Sequence, residues 1–169
     1  MFDYLLSRWG LESDKNRHLK PKNVKIENFN EYVVYGFFRN PEDRFLSLLR
    51  SFQQKYANFK KIQESIGIPS DEFKSFNYDQ LVDCFDKYCN SLPFFFHSQT
   101  EWLSDAQLLD FNNYTNEILR VAKMLNVSSV YIGKMNESQK TNEIPSQRVI
   151  DFVRSQYADD YRLWKERAK

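Results

Sequence analysis

Val33-Val34-Tyr35-Gly36-Phe37-Phe38-Arg39-Asn40-Pro41-Glu42-Asp43-Arg44-Phe45-Leu46-Ser47-Leu48-Leu49-Arg50 is the stretch on which the fold class turns. Residues 33–38 form a short apolar run rich in β-branched and aromatic side chains, the pattern of a strand covered on both faces. Asn40 supplies an N-cap side chain. Pro41 falls at the first helical position, where a missing N–H costs nothing. Phe45, Leu48, Leu49 and Phe52 recur at helical spacing and predict one buried stripe on a helix reaching about residue 58. Arg39, Arg44 and Ser47 then lie at the strand end and in the first turns of that helix. In open α/β sheets ligands sit at such places. A helix N-terminus flanked by a guanidinium and a hydroxyl suits an anion.

On either side the pattern continues. Phe2, Leu5, Leu6 and Trp9 share one face of a short helix that Gly10 ends. Residues 14–25 are polar and basic; they read as a solvated connector or as a loop lining an anionic site, with His18 as an acid–base group. Residues 59–68 continue as a second helical piece until Gly67, Pro69 and Ser70 break it, and residues 70–77 read as a loop. Residues 77–90 form a helix with Leu81, Cys84, Phe85 and Tyr88 on one face. Residues 108–111 predict a second short strand, residues 114–125 a helix, and residues 127–132 a β-rich segment. A polar loop over 133–145 precedes a helix that Ser146 caps and that runs to residue 154. The terminal helix carries Tyr157, Tyr161 and Trp164 as an aromatic stripe that packs on the core.

The chain has 169 residues, 41% of them hydrophobic and 17% aromatic, enough for one domain over residues 1–169 with a real core. Four glycines and five prolines argue against low complexity. A formal net charge of +1 gives no global basic field, so charge indicates neither nucleic acid nor a membrane surface as a partner. No run is long enough to span a bilayer, so the chain as given reads as soluble and cytoplasmic, with a Golgi lumen only if an upstream anchor was removed. Cys84 and Cys89 point to different sides of one helix, which disfavours a bond between them. No Cys/His spacing suits zinc. Three sequons, at Asn113, Asn126 and Asn136, are what an Asn-rich chain produces by coincidence.

Arg39-Asn40-Pro41-x-x-Arg44-x-x-Ser47 resembles the 3′-phosphate-binding motif of sulfotransferases that use 3′-phosphoadenosine 5′-phosphosulfate (PAPS), and within them the carbohydrate-modifying, Golgi-type branch and its bacterial relatives. The resemblance extends to three more elements in family order. His97-x-Gln99-x-x-Trp102-Leu103 is similar to the family's His–Gln–aromatic–Leu element. Asn136-Glu137-Ser138 is similar to its Asn-x-Ser element, and the run from Tyr157 to Trp164 to its closing aromatic helix. It implies an α/β fold: a P-loop-like sulfotransferase core whose small parallel sheet is flanked by helices, helix-rich and N-terminally incomplete. It implies PAPS or adenosine 3′,5′-bisphosphate as the nucleotide, Arg39 and Ser47 as ligands of the 3′-phosphate, and Arg44 braced against the fold or a carboxylate. A carbohydrate hydroxyl is the implied acceptor, with His18 or His97 as the base. For His97 and Gln99 a packed aromatic loop, with both side chains satisfying buried backbone groups, accounts for the residues equally well.

The family's phosphosulfate-binding loop has no counterpart here, since Gly10, Gly36, Gly67 and Gly133 are all isolated. Its lysine and backbone amides stabilise the leaving phosphate oxygen, and losing one such donor costs about 10²–10³ in rate. Sulfuryl transfer, like phosphoryl transfer, leaves the protein mainly positioning and charge neutralisation to supply. Two functions therefore stand side by side. One is PAPS-dependent transfer to a hydroxyl. The other is a truncated, inactive binding or interaction module that offers Phe94 to Phe96 to a partner, self-association included.

Overall fold

The computed structural model describes residues 33–56, 67–88, 96–104, 106–128 and 143–167, with positions 64, 130 and 132. In chain order its elements are β1 (Tyr35–Phe38), α1 (Pro41–Lys55), α2 (Ser70–Lys74), α3 (Tyr78–Tyr88), α4 (Gln99–Trp102), β2 (Gln107–Asp110), a 3₁₀ turn (Phe111–Asn113), α5 (Tyr114–Met124), α6 (Gln147–Gln156) and α7 (Ala158–Arg167). The chain is helix-rich and carries a two-stranded parallel sheet, an α/β composition as expected. The helix at residues 2–9, the basic segment with His18, residues 59–63, Phe94, Phe95, Cys89 and Asn136 lie outside the described residues. The chain divides into two compact units, residues 1–39 with 99–137, and residues 40–98 with 138–169.

In the first unit, β1 and β2 run parallel, with Tyr35 opposite Gln107 and Phe38 opposite Asp110. A parallel pair needs a long crossover, and residues 39–106 supply it. The strand is shorter than the apolar run predicts. Val33 is exposed and only Phe38 is fully buried, so β1 is half-covered rather than buried on both faces. Gly36 faces the Leu103 side chain closely enough that a Cβ there would require the end of that side chain to move. Helix α5 ends in a left-handed turn at Asn126, φ 55°, a conformation Asn tolerates better than most residues. The N–H of Val127 closes that turn on the Ala122 carbonyl at 2.9 Å. The β-rich segment expected at 127–132 is not a strand at its described positions, because this turn fixes the backbone first.

The second unit holds an aromatic core. Phe45 has no exposed surface and meets the rings of Phe85, Phe96, Phe152 and Tyr157 at 5.3–6.3 Å. Tyr56 and Phe73 stack at 3.9 Å. Phe96 is therefore core, and not the exposed partner-binding aromatic suggested by its neighbours in sequence. Cys84 is a free thiol packed against the same core.

The expected loop at 70–77 is instead a one-turn helix, α2, followed by a tight connection. So short a helix is tied down from α1: Gln53 Nε2 donates toward the carbonyls of Phe73 and Lys74 at its end, at 3.2 and 3.0 Å, and toward that of Phe76 just beyond it, at 2.8 Å. Helix α3 opens on a capping box, with the Asn77 side chain accepting from Gln80 N–H and the Gln80 side chain accepting from Asn77 N–H. Ser146 caps α6 as expected, accepting from Val149 N–H at 3.3 Å and donating to Asp79 at 2.8 Å. Phe45→Ala should cost about 3–5 kcal/mol in urea unfolding, because four rings lose their partner at once. Leu119→Ala, at an exposed position, should stay within about 0.5 kcal/mol. Similar losses at both positions would contradict this placement of the core.

Candidate functional site

Helix α1 begins where the sequence says it should. The Asn40 side chain accepts from the N–H groups of Glu42 (2.8 Å) and Asp43 (3.2 Å), Pro41 has no N–H to satisfy, and Arg44 N–H reaches the Asn40 carbonyl at 3.0 Å. The backbone donors that a bare helix N-terminus would offer an anion are thus already committed. The first turn is also acidic, with Glu42 and Asp43 facing the positive end of the helix dipole. An anion at this segment must therefore be held by side chains rather than by helix N–H groups. Glu42 has its own partners: Arg154 donates to Oε1 from Nε and Nη2 at 3.2 and 3.1 Å, and the Tyr161 hydroxyl donates to the same oxygen.

Arg39 belongs to the first unit and is anchored at its backbone. Its N–H donates to Gln99 Oε1 at 2.9 Å, and its carbonyl accepts from Gln99 Nε2 at 2.8 Å. Gln99 is buried, and its side-chain amide serves as a further strand peptide would, pairing Arg39 in both directions just past the last ladder residue. Of the two roles the sequence allows for Gln99, this is the backbone-satisfying one. The Arg39 guanidinium lies over the ring of Phe111 at 4.9 Å from its centroid.

Arg44 and His97 are brought together in the second unit. Arg44 Nη2 donates to the His97 carbonyl at 2.7 Å, and the guanidinium lies 5.8 Å from the centroid of the Tyr157 ring. Arg44 is braced against the fold through a carbonyl and a ring. The Tyr157 hydroxyl donates to the Phe96 carbonyl at 2.6 Å, and Asp160 is completely buried on α7. Burial drives the Tyr157 hydroxyl far above its ordinary range; Arg44 opposes the shift and Asp160 adds to it, so both charges act at this hydroxyl. Burial, and then its bond to Glu42, raises Tyr161 as well. Ser47 stands half-buried on α1, one turn beyond Arg44, and the His97 side of the loop is exposed.

The sequence missed two features. Phe111 reads as the last residue of a strand but opens the 3₁₀ turn after β2, and the complete burial of Asp160 goes unread. Neither position carries a local signal: a strand end and an acidic first turn look alike whether or not a cation or a core covers them. Leu49, Phe52, Phe73, Leu81, Cys84, Phe85 and Phe96 line a void of about 10 Å³, too small for a ligand. Among the described residues no group of His, Cys, Asp and Glu is placed to hold a metal ion, and no helix is long and apolar enough to cross a membrane. Comparison with known proteins brings no match, whether to family models, to curated proteins or to solved structures.

Gln99→Ala leaves the Arg39 N–H and carbonyl without their buried partner. It should cost about 1–3 kcal/mol in urea unfolding and speed amide exchange at Arg39; unchanged exchange there would contradict the clamp. Because the folded chain holds Tyr157 protonated beyond the usual tyrosine pKa of about 10, the unfolded chain binds fewer protons above that pH. This contribution to stability is complete below about pH 10 and is lost as pH rises further. Tyr157→Phe should make the alkaline fall of Tm shallower, and an unchanged slope would contradict the burial of that hydroxyl.

Proposed function

We propose that this chain is a sulfotransferase-like protein that binds a 3′-phosphoadenosine nucleotide by its 3′-phosphate, through the segment Arg39-Asn40-Pro41-x-x-Arg44-x-x-Ser47. One observation carries the proposal: the motif falls on a strand that leads, through an Asn cap and an N1 proline, straight into a long helix. In this reading Arg39 and Ser47 are the phosphate ligands and Arg44 keeps the segment rigid. The commitment of the helix N–H groups to Asn40 supports side-chain over backbone recognition of the phosphate.

As an enzyme, the protein transfers the sulfuryl group of PAPS to a carbohydrate hydroxyl within a P-loop-like core. The acceptor oxygen bonds to sulfur as the bond from sulfur to the 5′-phosphate oxygen breaks. His97, or His18, takes the hydroxyl proton as a general base. The isolated glycines favour a second reading, in which the chain binds the nucleotide without catalysis.

A thermal-shift titration with adenosine 3′,5′-bisphosphate tests the binding claim. Ligand at 100 times its Kd should stabilise the fold by about 2.7 kcal/mol, and Arg39→Ala and Ser47→Ala should each abolish most of the shift. No shift at millimolar nucleotide would overturn the proposal. Release of labelled sulfate from PAPS onto a polysaccharide separates the enzyme from the binder.

A further inference from the structure

Arg39 is constrained at both ends. Gln99 fixes its backbone, and its guanidinium rests on the face of Phe111, 4.9 Å from the ring centroid. The parallel register explains the meeting: Phe38 pairs with Asp110, so the next residues, Arg39 and Phe111, come side by side as the strands end. The ring itself is held. The Asp110 side chain accepts from Asn112 N–H at 2.8 Å and sets the 3₁₀ turn that carries Phe111. Phe37 lies edge-on to Phe111 at 6.4 Å and 88°, and Tyr114 contacts both rings, at 4.8 and 6.2 Å. Phe37 lies in β1, two residues before Arg39. Phe111 nevertheless keeps 41% of its surface exposed, so it is not a core residue whose ring is explained by packing alone.

We propose that Phe111 is a positioning residue for the Arg39 guanidinium and thereby sets the preference for a nucleotide that carries a 3′-phosphate. The inference rests on the proposed function, in which Arg39 is a ligand of that phosphate. An arginine side chain loses much rotamer freedom when it binds, and a guanidinium already stacked on a ring loses less. A guanidinium meets a phosphate in bidentate fashion through the N–H donors of its plane. Phe111 touches no part of the nucleotide in this account and acts through Arg39 alone.

Calorimetric titration of the full chain with adenosine 3′,5′-bisphosphate and with adenosine 5′-monophosphate tests the inference. Phe111→Leu keeps an apolar side chain and removes the π face. It should weaken bisphosphate binding about two- to five-fold, the ratio that a cation–π contact of ~0.5–1 kcal/mol produces. Monophosphate binding should not change, and Phe111→Tyr should restore the bisphosphate affinity. Equal weakening for both nucleotides, or no weakening, or no rescue by tyrosine, would overturn it. A readout that needs no variant is the proton spectrum of the native chain: the Arg39 δ-methylene should carry an upfield ring-current shift, and its absence would overturn the stacking. Bisphosphate binding that Arg39→Ala abolishes and Phe111→Leu leaves intact sinks this inference alone, whereas failure of the native chain to bind the bisphosphate sinks the proposed function with it.

Discussion

A strand that turns directly into a helix must dispose of the helix's first backbone N–H groups, and here two consecutive residues do so. Asn40 takes the N–H groups of Glu42 and Asp43, and Pro41 brings none. With the start of α1 fixed, its phase is fixed, and the rest of the second unit follows. Phe45, Leu49 and Phe52 turn into an aromatic core that α3, α6 and α7 complete. Arg44 and Ser47, one turn apart, share a stripe beside the buried one. An Asn40→Ala change would leave the N–H groups of Glu42 and Asp43 without the side chain that accepts from them.

The same economy of backbone donors determines what kind of chemistry the segment can support. Helix N-termini attract anions because their N–H groups lack partners; this one has partners, and its first turn carries two carboxylates. Any anion at this segment would have to be held by guanidinium and hydroxyl groups. The two arginines of the motif serve different ends. Arg44 is spent on the fold of its own unit, donating to a loop carbonyl and lying against Tyr157, with buried Asp160 close enough to act on the same hydroxyl. Arg39, in the other unit, is held at its backbone by Gln99 and lies with its guanidinium over the ring of Phe111. A buried glutamine that imitates a strand peptide is a stiff support, since loss of either hydrogen bond leaves a polar group unsatisfied.

Much of this was legible in the sequence. The cap at Asn40, the proline at N1, the stripe from Phe45 to Phe52, the Ser146 cap and the strand near Leu108 all follow from local chemistry, and local chemistry decides them. The misreadings have a common cause. Helix α2 looks like a loop because Gln53, twenty residues earlier in the chain, satisfies its C-terminus. Phe96 looks like an exposed aromatic because only the assembled core reveals Phe45, Phe52 and Phe85 around it. Phe111 looks like a strand residue because its contact with Arg39 is a product of parallel register, which pattern alone does not specify. In each case the deciding partner is remote in sequence.

The central claim is that Arg39 meets a 3′-phosphate, and phosphorus NMR of adenosine 3′,5′-bisphosphate addresses it directly, because the two phosphates give separate signals. On addition of the protein the 3′ resonance should shift or broaden more than the 5′ resonance, and Arg39→Ala should remove the difference. A 5′ resonance that moves alone, or two resonances that stay where they are in free nucleotide, would contradict the account.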